Sequence, residues 1–588
     1  MAWKKAGRPA RGTVAFQVLA SVLCSALWIG PVAGQVARDP TEQQRDLERD
    51  ITEQRRAQER DAQQRDLSLP PRDVRPDAPP AAPAARLPQG ETPCFVAREL
   101  QLRGPDAQRF AWVLDELGGP DGQDGPLHRC LGGEGLGVVA QRAQSALMER
   151  GFVTSRMLVD TQDLGQGRLV FTAIPGRIRH IRFVDPSAVR APSWKSALPA
   201  RPGDVLNLRD IEQALENFKR VPTAEADIQI ESVGELGESD LVIRWSQRLP
   251  LRLNLSVDDS GARSTGRYQG SVTLSLDSPF GLNDLFYVGV QGDLGGGDPG
   301  RRGTNGHSLH YSVPWGHHRL ALDLSEHRYL QSVAGLSQDY VYRGHSASQT
   351  LTLSRLLRRD ATHATTLQLQ GFARQSRNFI DDTEVEVQRR QVGGWQLGVE
   401  HRTFLGDGTL DLGLSYRRGT GAFGALRAPE EAFGEGTSRF ALVQADARWQ
   451  QPLRLGAQTG RYIGQWRGQV NRTPLSPQER FAIGGRYSVR GFDGVSSLSA
   501  ERGWLLRNEV AMPLGGGGHS VFIGVDHGEV DGPSADFLVG KRLTGAVLGL
   551  RGGMGPLQYE VFAGWPLRQP EGFRTAHMTL GFWLAAGF

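Results

Sequence analysis

The sequence predicts a membrane-spanning antiparallel β-barrel of sixteen strands, preceded by two small α/β units, and three observations carry that reading. From Leu251 onward, apolar residues alternate with small or polar ones, as in Leu410-Asp-Leu-Gly-Leu-Ser-Tyr416, Leu367-Gln-Leu-Gln-Gly371 and Leu557-Gln-Tyr-Glu-Val561. The connections between these segments alternate in length. Those at 278–282, 315–317, 358–361, 404–408, 452–457 and 515–518 are short, whereas 295–306, 331–344, 419–437 and 473–502 are long. Short turns on one rim and long loops on the other characterise an outer-membrane barrel, and a soluble sandwich, the competing class, does not require that asymmetry. Finally, no apolar run past the first forty residues reaches the length of a membrane helix.

Composition agrees with this class. The chain has 588 residues, 74 Gly, 33 Pro, 22% charged residues and a net charge of +4. Alternation conceals apolar residues, so mean hydropathy stays mildly negative in a barrel. A chain this long exceeds one compact core, and without a concentrated basic face nucleic acid is not an expected partner.

In chain order, residues 1–34 read as a secretory signal. Lys4, Lys5, Arg8 and Arg11 precede an apolar core, and Val32-Ala33-Gly34 offers a small-residue cleavage site. Cys24 lies inside that core, preceded by Leu23, which does not suit lipoprotein processing. Removal of the signal leaves Cys94 and Cys130, which in an exported chain most simply pair; two free thiols or a partial metal site are the alternatives. Closing that loop should stabilise its domain by roughly 3–4 kcal/mol.

Residues 35–67 form a polar stretch with opposite charges three or four apart: Glu42/Arg45, Asp46/Arg49, Glu53/Arg56 and Asp61/Arg65. As a solvated helix, 41–67 would extend about 40 Å, enough to cross a bilayer inside a wet lumen and serve as a pore plug. A disordered tail is the equal alternative. The Pro-rich stretch 68–93 reads as an extended, semi-rigid linker.

Residues 94–175 then show the order β-α-α-β-β. An alternating strand follows Phe95, and helical spacing links Phe110, Val113, Leu114 and Leu117, then Leu136, Val139, Ala143 and Leu147; strands are expected at 153–159 and 168–173. Residues 176–247 repeat the order, with a strand at 177–184 and a short helix near 193–198. Leu208, Ile211, Ala214, Leu215 and Phe218 line one helix face before strands at 228–233 and 240–245. The barrel domain occupies 251–588, and an even strand number leaves both its ends beside the α/β units. Its longest connection, 473–502, contains Gly484-Gly485-Arg486-Tyr487-Ser488-Val489-Arg490-Gly491-Phe492-Asp493-Gly494. A loop of that length at a barrel mouth is more often functional than idle.

These residues carry a resemblance to a known family. The two α/β units resemble polypeptide-transport-associated (POTRA) domains. Cys94-Phe95, Arg129-Cys130-Leu131 and Gly151-Phe-Val-Thr-Ser-Arg156 resemble the first such domain of two-partner secretion transporters. Leu206-Asn-Leu-Arg-Asp-Ile-Glu-Gln-Ala-Leu215, with Arg220-Val-Pro222, resembles the second. Val489, Arg490, Gly491 and Phe492 are similar to the tip motif of the sixth loop in the wider outer-membrane assembly and transport superfamily. Phe522, Asp526 and Gly528 are similar to its partner motif on the barrel wall.

The resemblance covers essentially the whole mature chain and implies a haemolysin/filamentous-haemagglutinin secretion and activation protein. It implies that the loop folds into the lumen, with Arg490 contacting Asp526. The implied function is export of one large unfolded exoprotein, an adhesin, haemolysin or contact-dependent toxin, from periplasm to cell surface. The POTRA units would capture that partner, an exposed strand edge pairing with it by β-addition. Terminal Phe588 is similar to a signal read by the barrel-assembly machinery. Outer-membrane lipid is the remaining partner, the expected state is a monomer, and neither a cofactor nor an enzymatic activity is expected. Phosphate-loop, HExxH and GxSxG motifs are absent from the sequence. The rival functions are an assembly factor that inserts other barrels and a passive porin.

Overall fold

The computed structural model describes residues 52, 53, 55, 56, 59, 85–119, 121–185, 192–234, 237–335 and 338–588. The expected signal segment, most of the polar stretch 35–67 and residues 68–84 lie outside the described residues.

The two α/β units share one topology. In the first, strand Glu99–Arg103 runs parallel to Arg168–Ile174, which pairs antiparallel with Arg156–Leu158. In the second, Arg177–Phe183 runs parallel to Glu238–Gln247, which pairs antiparallel with Ala224–Ser232. Helix Gly133–Glu149 buries Val139, Ala143, Ala146 and Leu147 against Leu169, Phe171 and Ala173, alternate residues of the central strand. The segment expected as the unit's other helix, Ala107–Gly118, is a 3-10 helix whose Phe110, Val113 and Leu117 enter the same core. In the second unit Asn207 caps helix Leu208–Phe218, its side chain accepting from the Arg209 N–H at 2.8 Å. Leu208, Ile211, Leu215 and Phe218, spaced three and four apart, bury its inner face. Strand Ala224–Ser232 starts four residues before the expected 228.

Residues 85–93, read from composition as linker, pack on the first unit. Leu87 is 5% exposed and belongs to its core. The Glu91 carboxylate accepts from the Gly132, Glu134 and Gly135 N–H groups at 2.8–3.2 Å, capping helix Gly133–Glu149, whose own N-cap is a glycine. The Gly132 bond is the largest reason that the Glu91 carboxyl lies below the usual carboxylate range. Cys94 and Cys130 form a disulfide, Cα–Cα 5.3 Å, beside the short ribbon of Phe95–Val96 and Cys130–Leu131.

Sixteen antiparallel strands close into a barrel, with Thr383–Glu384 a two-residue extension between the seventh and eighth. The side facing lipid is apolar and the lumen side polar. On the first strand, Leu251–Asp258, Leu251, Leu255 and Val257 are exposed while Asp258 is buried. On the thirteenth, His519–Asp531, Ile523 and Val525 face outward, and Phe522, Gly524, Asp526, Gly528 and Val530 face inward. Residues 331–344, expected as a loop, are mostly strand. The fifth and sixth strands, His318–Ala334 and Asp339–Arg359, run 17 and 21 residues and pair up to Ala334 and Asp339. A bilayer needs only about 9–11 residues per strand, so this hairpin projects outward. Beyond the membrane both faces meet water, which removes the alternation that would reveal a strand. The turn expected at 452–457 shrinks likewise, because the flanking strands reach Leu455 and restart at Gln458.

The second α/β unit is fastened to the periplasmic turns. Buried Asp277 accepts from the Thr223 N–H and hydroxyl at 3.2 and 2.8 Å, and from Arg252. Asn217 donates to the Gly316 carbonyl at 2.9 Å, Asn283 to Ser196 at 2.9 Å, and Arg359 pairs with Glu216.

Candidate functional site

The loop 473–502 joins the eleventh strand, Gln458–Asn471, to the twelfth, Arg502–Leu514. Its arms form their own ribbon, Phe481–Ile483 against Leu498–Ala500. Ser488 closes a turn at the end of the ribbon: its hydroxyl accepts from the Gly484 and Gly485 N–H groups, both at 3.1 Å. The ribbon lies inside the barrel because its partners are inward-facing residues. Ile483, Val489, Phe492 and Leu498 pack with Leu505, Val530 and Leu543 of the wall and with Phe573 of the last outer loop. Phe492 meets Phe573 edge-on at 5.7 Å.

Arg490 is the tip's polar anchor. Its Nε donates to Asp526 Oδ2 at 2.7 Å, one terminal nitrogen to Oδ1 at 2.9 Å, and its backbone N–H to Oδ2 at 3.0 Å. The other terminal nitrogen reaches Glu509 Oε2 at 2.5 Å. Arg490, Asp526 and Glu509 are 7%, 0% and 8% exposed. Such a two-pronged guanidinium–carboxylate contact is directional and strong. Glu509 also pairs with Arg551, whose guanidinium lies 4.1 Å from the Phe522 ring centroid, and Arg507 Nε is 3.8 Å from Asp526. Three arginines thus share two carboxylates, and burying this set is tolerable only because each charge faces its opposite.

The structure therefore brings Val489, Arg490, Gly491 and Phe492 together with Asp526 and Gly528. Phe522 stands apart, packing with Val547 and Phe562 beneath Arg551. The sequence reading missed Glu509 and Arg551, and also a floor of glycines. A Cβ on Gly545 would lie 1.9 Å from the Arg490 carbonyl oxygen, and one on Gly564 2.9 Å from the Gly491 Cα. A Cβ on Gly528 would lie 3.0 Å from Val489, and one on Gly524 2.7 Å from the Arg490 guanidinium. Gly491 itself has φ +105°, and its own Cβ would meet the Trp565 carbonyl at 2.4 Å. At Gly545 and Gly564, on two neighbouring strands, backbone rests on backbone, which only glycine permits, while Gly524 and Gly528 leave room for the tip's side chains.

The loop's base reaches the other wall. Glu479 pairs with Arg374 of the seventh strand, His363–Ile380, and lies 3.5 Å from Arg417 of the ninth, Gly408–Thr420. Thr52, Glu53, Arg55, Arg56 and Glu59 are helical, and two of them bond to this loop. Arg55 donates to the Ser499 hydroxyl at 2.9 Å and to the Pro477 and Arg480 carbonyls at 3.3 Å; Arg56 donates to the Gly494 carbonyl at 2.8 Å. At the opposite end of the barrel domain, Phe588 exchanges backbone hydrogen bonds with Leu253 at 2.9 and 3.0 Å, leaving its ring exposed. Among the described residues, no cluster of His, Cys, Asp and Glu could hold a metal ion.

Comparison with known proteins places this arrangement. The family model described as "Haemolysin secretion/activation protein ShlB/FhaC/HecB" matches residues 237–552, and POTRA domain models match 124–176 (ShlB-type) and 177–232. The chain is 37% identical to the outer membrane transporter CdiB-2 of Burkholderia pseudomallei over 90% of this chain and 92% of that one. It is 26% identical to the hemolysin transporter protein ShlB of Serratia marcescens, over 77% and 78% of the two chains. Its fold superposes on CdiB from Acinetobacter baumannii with a TM-score of 0.80 at 29% identity, covering 94% of this chain and all of that one.

Proposed function

Because the chain belongs to the haemolysin secretion/activation protein ShlB/FhaC/HecB family, it is an outer-membrane two-partner secretion transporter, and we propose how its residues serve export. Family members are transporters, and no chemical step is assigned to any residue. The exported partner is one large polypeptide, such as an adhesin, haemolysin or contact-dependent toxin, that crosses unfolded. Residues 1–34 direct the chain to the periplasm. The helix within 35–67 plugs the resting pore, 68–84 tethers it, 94–175 and 176–247 receive the substrate, and 251–588 conducts it.

Val489–Phe492, held on Asp526 and Gly528, set the lumen's conducting geometry. The observation that carries this is the Arg490 fork on fully buried Asp526, which holds the longest loop across the pore. Folding outside the cell supplies the drive, since the periplasm offers no ATP. The transporter works as a monomer, and Phe588 presents it to the barrel-assembly machinery.

The test first asks whether a neighbouring reading frame encodes a long exported protein, then expresses the chain with that protein. Wild type should deliver that protein to the medium, and Arg490→Ala should insert yet leave it in the periplasm. If deleting the chain instead depletes many outer-membrane proteins, the assembly-factor reading replaces this one.

A further inference from the structure

A barrel closes where its first and last strands meet, and here that seam is short. Only Asn254–Asp258 pair with Trp583–Gly587, followed by the reciprocal Leu253–Phe588 bonds at the periplasmic end. By comparison, the twelfth and thirteenth strands pair from Arg502–Asp531 to Leu514–His519. Above Trp583 the first strand has already turned into the loop 259–267, so the outer part of the last strand, Thr579–Gly587, loses its backbone neighbour. An unpaired strand edge is a weak point unless something covers its polar groups.

Two side chains cover it. The Phe582 N–H donates to Asp259 Oδ1 at 2.9 Å, and the Phe582 carbonyl accepts from an Arg486 terminal nitrogen at 2.9 Å. The other terminal nitrogen of Arg486 donates to the same Asp259 Oδ1 at 3.1 Å, and Arg267 reaches Asp259 Oδ2 at 3.3 Å. The three groups thus close a ring that reproduces, in side chains, the two bonds that the first strand would have made. The Arg486 side chain is 19% exposed and that of Asp259 6% exposed. The guanidinium also lies 4.9 Å from the ring centroid of Phe562 on the fifteenth strand. Arg486 belongs to neither seam strand. It sits in the inserted loop, four residues before Arg490, so the seam's outer half is fastened by the same segment that crosses the lumen.

We infer that Arg486 is a positioning residue that latches the seam to the inserted loop, so that the outer half of the seam is secure only while the loop is seated. This goes beyond the export reading and stands or falls apart from it.

The test is hydrogen–deuterium exchange on the full chain in lipid nanodiscs, comparing the peptide covering 579–587 with the distant hairpin 318–359. Arg486→Ala should speed exchange in 579–587 at least tenfold and leave the hairpin unchanged. Asp259→Ala should do the same, and the double variant should add nothing, since both break one ring. Arg486→Lys, which can make one of the two bonds, should fall between. A disulfide between register partners, Ser256→Cys with Ala585→Cys, should abolish the increase. Freeing the tip with Arg490→Ala should also expose 579–587. Unchanged exchange there in Arg486→Ala and Asp259→Ala overturns the latch, as does an equal rise in the hairpin, which would mean general destabilisation. Protection of 579–587 in Arg490→Ala overturns the link between loop and seam. If Arg486→Ala fails to insert, Asp259→Ala read by the same peptides decides the matter.

Discussion

Gly545→Val isolates the loop's seating without removing any charged group. A Cβ at that position would lie 1.9 Å from the Arg490 carbonyl oxygen and 3.4 Å from the Gly491 Cα. Ordinary contact begins near the second of these distances, so the tip must recede by about 1.5 Å, the difference between the two. Gly545 cannot yield instead, because it is paired in the ladder with Asp526 on one side and Pro566 on the other. A retreat of that size lengthens the Arg490–Asp526 contacts, now 2.7 and 2.9 Å, beyond hydrogen-bonding range. Overpacking costs about 1–3 kcal/mol, and separating a buried pair costs up to about 3–5 kcal/mol. A tip that moves away recovers part of the latter by admitting water, so the seated loop should lose roughly 2–4 kcal/mol by the same ranges. The assay pairs single-channel recording in planar bilayers with secretion of the partner exoprotein. The variant should insert as a folded barrel, show unstable conductance and export at least tenfold less. Gly371→Ala, where a Cβ would meet nothing within 4 Å, is the control. Wild-type export and quiet channels in Gly545→Val would refute the seating argument.

Four further outcomes follow from the same geometry. Arg490→Ala leaves buried Asp526 only the 3.8 Å approach of Arg507, while Glu509 keeps Arg551, and should lower the barrel's heat-denaturation temperature on semi-native gels; adding Asp526→Asn should restore part of the loss. Replacing Cys94 and Cys130 with Ser should destabilise the first α/β unit by roughly 3–4 kcal/mol, read by protease sensitivity, while barrel heat stability stays unchanged. Burial alone would raise the Asp124 pKa, but the Leu87 N–H and Arg142 hold its carboxyl below the usual range. A depressed carboxyl contributes stability that is complete above its unfolded value, near about 3.9, and fades as pH falls through the lower folded value. Amide protection of 133–149 should therefore decline below about pH 4, and Asp124→Asn should lessen that decline, with Glu91 at the helix N-terminus, also held below the usual range, supplying the rest. Deleting residues 41–67 should raise resting conductance, because Arg55 and Arg56 would no longer hold Ser499 and Gly494.

Legibility in the sequence followed the solvent. Lipid on one face and a wet lumen on the other enforce alternation, and that made the barrel visible from Leu251 to the chain's end. Where both faces meet water, as around His327–Val333 and Tyr340–His345, the same strands continue without a signal. Arg490 and Asp526 are 36 residues apart in sequence, and a shared motif rather than spacing brought them together. Gly545 and Gly564 were invisible because single glycines carry no mark in a chain with 74 of them. Glu509 and Arg551 carry no mark of their own, because lumen-facing polar residues recur along every strand and only the loop tip gives these two a role. Glu91 caps a helix that starts 42 residues later, at Gly133, a purely tertiary relation that no local capping pattern could announce.

The most direct test asks whether the tip of the 473–502 loop lies on the thirteenth strand in the outer membrane. A Cβ on Gly528 would stand 3.0 Å from the Val489 side chain, so Val489→Cys with Gly528→Cys places two thiols within bonding reach once the valine methyls are gone. In intact cells that pair should oxidise spontaneously and leave export running, because the cross-link holds the tip where it already sits. Two thiols that remain free and open to a membrane-impermeant label would put the loop outside the pore and contradict the account.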